Sequence, residues 1–247
     1  MEQPEGFKVK GQEGKVYRLR KALYGLKQAS LAWNKQADKS LKDLGYTRCL
    51  SDTGIYVKIE NNDINIVILY VDDVLFLGNN KTKLMKIKAD FMKKWECRDL
   101  GPIKEYLRMD IQRDRKNHTL IIDQINYAKK IVERFGQNNS RPTNTPLPVG
   151  YNPTLNTGQC TNVQRTYYQS IIGSLLFLTL GTRPDITHAT ILMSQFMVNP
   201  SEEHIKNALH IVRYLNTNLK IKIKYEGLEK EGFIAYADAD WGTVTMT

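Results

Sequence analysis

The sequence predicts an α+β protein: a sheet with packed helices, then a helical segment, then the opening of a second sheet. Three observations carry this. Apolar runs of strand length crowd into residues 53–78. Segments with apolar residues at helical spacing flank them. Three further helix-like segments, 163–180, 184–198 and 201–217, then follow one another directly.

Taken in order, residues 1–25 carry one short strand signal, "KVYRLRKAL" (15–23), and then Gly25. "KQASLAWNKQADKSLKDLG" reads as an amphipathic helix, with Ala29, Trp33, Ala37 and Leu41 on one face and Gly45 as its stop. "TGIYVKIE" and "INIVILY" are strands joined by the polar "NND" turn, and "VLFLG" is a third strand. "KTKLMKIKADFMKKW" is a basic helix. "LGPIKEYLRMDIQRD" and "HTLIID" form a hairpin across "RKN", and "INYAKKIVERFG" is a helix closed by Gly136. Residues 136–162, rich in Pro, Asn and Thr, read as a linker. Pro184 suits a helix start, as does Ser201 with Glu203 and His204 behind it. "KIKIKYEG" and "GFIAYADADWG" close the chain as two strands of the second sheet.

Two hundred and forty-seven residues suffice for a sizeable core, in one large domain or two smaller ones. Apolar content of 41% and charged content of 25% are those of a soluble globular protein. The net charge of +10 suggests a polyanionic partner, most often nucleic acid; a solvated basic surface gives the same number. Cys49, Cys97 and Cys160 are odd in number and fit neither a disulfide framework nor a zinc site, which points to a reducing compartment. No apolar run reaches the ~18 residues of a membrane span, and "MEQPEGFKVK" lacks the apolar core of a signal peptide. The expectation is a soluble, intracellular protein.

The stretch "NIVILYVDDVLFLGN" (65–79) sets two like charges, Asp72 and Asp73, inside an apolar run. Successive strand residues point to opposite faces, so two adjacent aspartates can serve one site only where the backbone turns. Each flank is about one strand long, which predicts a tight hairpin with both carboxylates at its tip. Carboxylates this close repel, and a divalent cation such as Mg²⁺, which takes carboxylate oxygens and keeps positions open for phosphate and water, removes that cost. A solvated Asp-Asp turn fits the same four letters.

"YVDD" with apolar flanks resembles the hairpin motif of reverse transcriptases. "LYGLKQASLAW" (23–33) resembles the segment that precedes it in the copia-type LTR retrotransposon enzymes, and "LGPIKEYLRMDI" (100–111) resembles their primer-grip hairpin. "YYQSIIGSLLFLTLGTRPDI", "SQFMVNPSEEH" and "VRYL" resemble the connection region, and "YADADWG" (236–242) the first strand of the RNase H domain. The matches stand in family order over nearly the whole chain, which is identified as similar to a copia-type Pol fragment.

That resemblance implies a reverse-transcriptase-like palm and thumb, a helical connection region and the start of an RNase H-like sheet. The palm portion would be 1–115, with the YVDD hairpin and the start of the primer grip. Residues 116–162 would complete the grip and supply the thumb and linker, 163–230 the connection, and 231–247 the truncated RNase H-like start. It implies an RNA-directed DNA polymerase acting by two-metal nucleotidyl transfer with Mg²⁺ or Mn²⁺. Asp72 would be a metal ligand and Asp73 its supporting neighbour, with Tyr70 and Val71 beside the primer terminus. Gly25 and Gln28 would lie under template and incoming nucleotide; Gln28 equally suits a polar helix N-terminus. Leu107, Arg108 and Met109 would hold the primer. The family usually has glycine at Arg108, so the arginine either adds a phosphate contact or blocks a close backbone approach. Lys129, Lys130 and Arg134 would touch phosphates, or simply form a solvated helix face.

Implied partners are RNA template, DNA primer, RNA–DNA hybrid and dNTP, with no membrane, and either an oligomer or the missing Pol segments. The implied setting is cytoplasmic, in a virus-like particle of the intact element, or nuclear. The family's first catalytic aspartate lies upstream of "MEQPEGF", and of the RNase H ligands only Asp238 is matched, so the chain is expected to be inactive alone. The other reading is an inactive, domesticated remnant that binds nucleic acid or a protein partner.

Overall fold

The protein is described here by a computed structural model covering residues 1–227 and 235. The chain divides into two compact units, Met1–Asp99 and Leu100–Thr247. Both are mixed α/β, each around one antiparallel four-stranded sheet.

In the first unit, helix α1 (Ala29–Asp43) ends where expected. Gly45 takes φ +83°, and the amides of Gly45 and Tyr46 turn back to the carbonyls of Lys42 and Leu41. Strands β1 (Thr47–Arg48), β2 (Ile55–Glu60), β3 (Asp63–Tyr70) and β4 (Asp73–Gly78) pair in chain order. Helix α2 (Lys81–Lys94) follows, capped by the Asn80 side chain on the Lys83 amide. One face of the sheet sends Tyr56, Val67, Leu69, Val74 and Phe76 into a core with Ala37 and Leu41 of α1 and Phe91 of α2. The opposite face carries Ile66, Ile68 and Leu75, only half-buried. Four of the six lysines of α2 are engaged in ion pairs, Lys83 with Asp63, Lys88 with Asp99, Lys93 with Asp90 and Lys94 with Asp43, so its basic face is in large part internally neutralised.

The expected strand at 15–23 does not form. A strand needs a partner edge, and Val16, Leu19 and Leu23 here stay exposed without one. Residues 9–15, just ahead of it, are gathered on the buried Gln3, whose amide donates to the carbonyls of Gln12 and Lys15 and accepts the Val9 amide.

In the second unit, β5 (Glu105–Tyr106), β6 (Met109–Asp114) and β7 (Thr119–Asp123) form a meander, and β8 (Ile223–Glu226) adds to β7. "KIKIKYEG" thus joins the sheet of the 100–123 hairpin rather than opening a second one, with Leu120 opposite Tyr225 and Ile122 opposite Ile223. The strand expected over 231–247, with Asp238, lies outside the described residues. Helices α3 (Ile125–Arg134), α4 (Asn162–Gly181), α5 (Thr187–Ser194, entered through a 3₁₀ turn at Pro184) and α6 (Glu202–Thr217) enclose the larger core, which includes Ile131, Tyr168, Leu175, Met193, Ile211 and Leu215.

The stretch read as a linker has no regular element between α3 and α4, yet it is strapped down. The Asn216 amide donates to the carbonyls of Gln137 and Asn138, Thr143 binds Thr217 and His210, and Leu147 and Tyr151 pack on the helical core. Among the described residues no helix is long and apolar enough to cross a membrane. All three cysteines are free thiols.

Candidate active site

The β3–β4 hairpin closes in two residues. Tyr70 pairs with Asp73, leaving Val71 and Asp72 as the turn. Val71 has φ +52° and Asp72 is not left-handed, which is the sign pattern of a type II′ turn. That turn prefers glycine at its first central position. A β-branched residue there is strained, at a cost of order 1–3 kcal/mol, and such strain persists only where surrounding structure over-determines it.

Both aspartates are exposed at the tip, with Tyr70 54% and Val71 53% exposed beside them. Asp73 stands opposite Tyr70, on the sheet face away from the helices and in line with Ile68 and Leu75. The indole Nε1–H of Trp33, on α1, donates to the Val71 carbonyl at 2.5 Å.

Gly25 has φ +94° at the third position of a turn in which the Leu26 amide meets the Leu23 carbonyl, so a glycine is required by the turn itself. Gln28 occupies the N-cap position of α1, exposed, with its side chain making no capping bond. Leu107 and Arg108 form the two-residue turn between β5 and β6, at φ +50° and +63°, with Tyr106 opposite Met109. Positive φ at both central residues is the mark of a type I′ turn, so a glycine at position 108 would answer to backbone sign rather than to close approach. Arg108 is exposed, while Leu107 and Met109 are half-buried. On α3, Ala128, Ile131 and Val132 face the core and Lys129, Lys130 and Arg134 face outward, with the Arg134 guanidinium 5.2 Å from the centre of the Phe135 ring.

The first unit therefore brings together Tyr70, Val71, Asp72 and Asp73, and α1 adds Trp33. Leu107–Met109, Lys129, Lys130 and Arg134 belong to the second unit. Sequence reading placed Trp33 only on the apolar face of α1. The signal for more was its N–H, which needs an acceptor when the ring is packed.

Chemically, two exposed carboxylates on one tight turn offer hard oxygen donors to a divalent cation and space for further oxygen ligands. Among the described residues, no group of three or more His, Cys, Asp and Glu side chains is placed to hold a metal. The tip fits a metal as a partial donor set, to be completed by other oxygens.

An antiparallel sheet backed by two helices thus carries two adjacent aspartates at its β3–β4 hairpin turn, both open to solvent. The family described as reverse transcriptase (RNA-dependent DNA polymerase) matches residues 1–149, and the chain belongs to that family. It is 39% identical to the retrovirus-related Pol polyprotein from transposon TNT 1-94 of Nicotiana tabacum over 87% of its own length and 17% of that protein. It is 33% identical to the Pol polyprotein from transposon RE1 of Arabidopsis thaliana over 98% of its length and 16% of the relative. A transposon Ty5-1 protein of Saccharomyces cerevisiae is 30% identical over 99% of the chain and 79% of its own length. The chain thus spans 16–17% of the two Pol polyproteins. No solved structure matches it. The expected likeness to the reverse transcriptase region of a copia-type retrotransposon Pol is borne out.

Proposed function

We propose that the chain is the palm, thumb and connection portion of an RNA-directed DNA polymerase, with the Asp72–Asp73 turn as one side of its metal site. The observation that carries the reading is that turn: two exposed carboxylates, on a strained two-residue hairpin, in a member of the reverse transcriptase family. Asp72 and Asp73 would hold Mg²⁺ or Mn²⁺, which when bound supplies charge neutralisation at phosphoryl oxygens. Tyr70 and Val71 would border the primer end. Gln28, on the exposed start of α1, would meet template and dNTP through amide contacts that fix no sequence. Leu107, Arg108 and Met109 would hold the primer backbone, and Lys129, Lys130 and Arg134 would contact the phosphates of an RNA–DNA hybrid. An RNase H-like start at Asp238 and a cytoplasmic setting belong to the same reading.

Positioning and charge stabilisation are nearly all that a protein contributes to phosphoryl transfer. Since no third acidic ligand joins the pair among the described residues, we infer that the 247 residues alone are catalytically silent and that another Pol segment completes the site. The net charge of +10 supports the second reading as well, an inactive remnant that binds nucleic acid or a protein partner.

Primer extension on poly(rA)/oligo(dT) with Mn²⁺ separates them. The chain alone should give none. Joined to a Pol segment bearing a further metal-binding aspartate, it should extend the primer and lose that activity on Asp72→Asn. Extension by the chain alone would refute silence, and none from the joined protein would favour the remnant.

A further inference from the structure

Val71 sits in a backbone conformation that valine avoids, at the residue that aims Asp72. Something must hold it there. Its carbonyl receives the indole N–H of Trp33 at 2.5 Å, from a helix 38 residues earlier in the chain. Trp33 is itself held. Its ring meets Trp95 edge-on, with centroids 4.8 Å apart. Trp95 stacks on Phe91 at 6.2 Å, and Phe91 meets Phe76 edge-on at 5.4 Å. Phe76 lies on β4, the strand that leaves the same turn. The aromatic series therefore runs from α1 through the end of α2 and back to the hairpin, closing a bracket around the tip.

A half-buried indole whose only polar atom reaches a turn carbonyl does two things. It satisfies its own donor, and it ties the carbonyl of the strained peptide to a helix. Returning Val71 to negative φ means turning about its N–Cα bond, which would swing its carbonyl away from the indole N–H and change the direction of Asp72, so the hydrogen bond opposes that relaxation. Packing alone would not select the peptide orientation; a directed hydrogen bond does.

We propose that Trp33 is a positioning residue that locks the Val71–Asp72 peptide and thereby fixes the direction of the Asp72 carboxylate. Its functional weight rests on the reading of Asp72 and Asp73 as metal ligands. The lock itself does not.

The test uses the full chain and the variants Trp33→Phe, Val71→Gly and their combination, with backbone order measured by NMR relaxation and Mn²⁺ affinity measured in parallel. Phenylalanine keeps an aromatic ring against Trp95 while removing the N–H together with one ring of the indole. Glycine accepts positive φ without strain. Trp33→Phe should lower the order parameters of Val71 and Asp72 from about 0.85 toward 0.6 while those of Val67 and Leu69 stay rigid. It should weaken Mn²⁺ binding on the order of tenfold. Adding Val71→Gly should restore order and most of the affinity, because the strained peptide no longer needs holding.

A merely structural tryptophan would disturb the whole sheet and would not be rescued by glycine at that one position. Unchanged order at Val71 in Trp33→Phe, or a loss that Val71→Gly leaves in place, overturns the lock. Should Trp33→Phe fail to fold, Val71→Gly with Trp33 intact decides: it should raise the thermal midpoint, and a lowered midpoint overturns the strain on which the lock depends. If the native chain binds no Mn²⁺, the metal reading fails, and the order parameters still decide the lock.

Discussion

His204 couples helix α6 to pH. Its ring Nδ1 accepts the Ser201 amide at 3.0 Å while the Ser201 hydroxyl accepts the His204 amide at 3.1 Å, so the pair caps the helix reciprocally. The ring is 1% exposed and stacks on Phe196 with centroids 4.0 Å apart. Protonating Nδ1 would destroy the acceptor and place a cation in the core. Burial accordingly holds the imidazole below its ordinary range, against opposing pulls from the Thr154 carbonyl and Glu203.

A histidine whose folded value is depressed stabilises fully above its unfolded value, about 6.5, and loses that contribution as pH falls through the folded value. His204→Gln keeps an acceptor for the cap and removes both titration and ring. Losing the ring stack costs about 0.5–1.5 kcal/mol. That lowers the thermal midpoint by roughly 2–4 °C per kcal/mol in a domain of this size.

The assay is urea unfolding of chain and variant at about pH 7.5 and about pH 5. The variant should be less stable at the higher pH, and the gap should narrow toward the lower one. His210, also pushed down by burial, leaves the variant a residual slope. A gap independent of pH would refute the capping argument.

In α4, a Cβ at Gly181 would fall 2.2 Å from Oε1 of the buried Gln124, which accepts both the amide and the hydroxyl of Thr182 at 3.1 Å. Gly181→Ala should therefore destabilise the second unit by about 1–3 kcal/mol in denaturant titration despite alanine's better helix propensity, since the displaced amide leaves buried donors unmet. Nucleic-acid binding should be salt-dependent and sequence-tolerant. Replacing Lys129, Lys130 and Arg134 together by alanine should flatten the slope of log K against log salt by roughly 2.7, at about 0.9 per phosphate contact.

Local signals proved readable in the sequence. The hairpin tip followed from two strand-length apolar flanks around two aspartates, the stop of α1 from Gly45, and the start of α6 from Ser201. What stayed hidden depends on partners distant in the chain. Residues 15–23 have strand composition but no edge to pair with, while Gln3, unremarkable in sequence, gathers the loop of residues 9–15 ahead of them. "KIKIKYEG" pairs with β7 about a hundred residues earlier, and residues 136–162 read as a linker because the bonds that strap them down run to side chains of α6. Val71 gave no warning either, since valine is a favoured strand residue and its positive φ arises only from where the two strands must join.

The most direct test of the central claim, that the Asp72–Asp73 turn is one side of a metal site, is Mn²⁺ titration of the chain and of Asp72→Asn, read by electron paramagnetic resonance. The native chain should bind Mn²⁺, and Asp72→Asn should weaken binding by about tenfold or more, because the affinity of such sites tracks ligand charge. The metal-free variant should be at least as stable as the native chain, since one of two adjacent like charges is gone. Equal Mn²⁺ affinity in the two proteins would contradict the claim and leave the two aspartates a solvated turn.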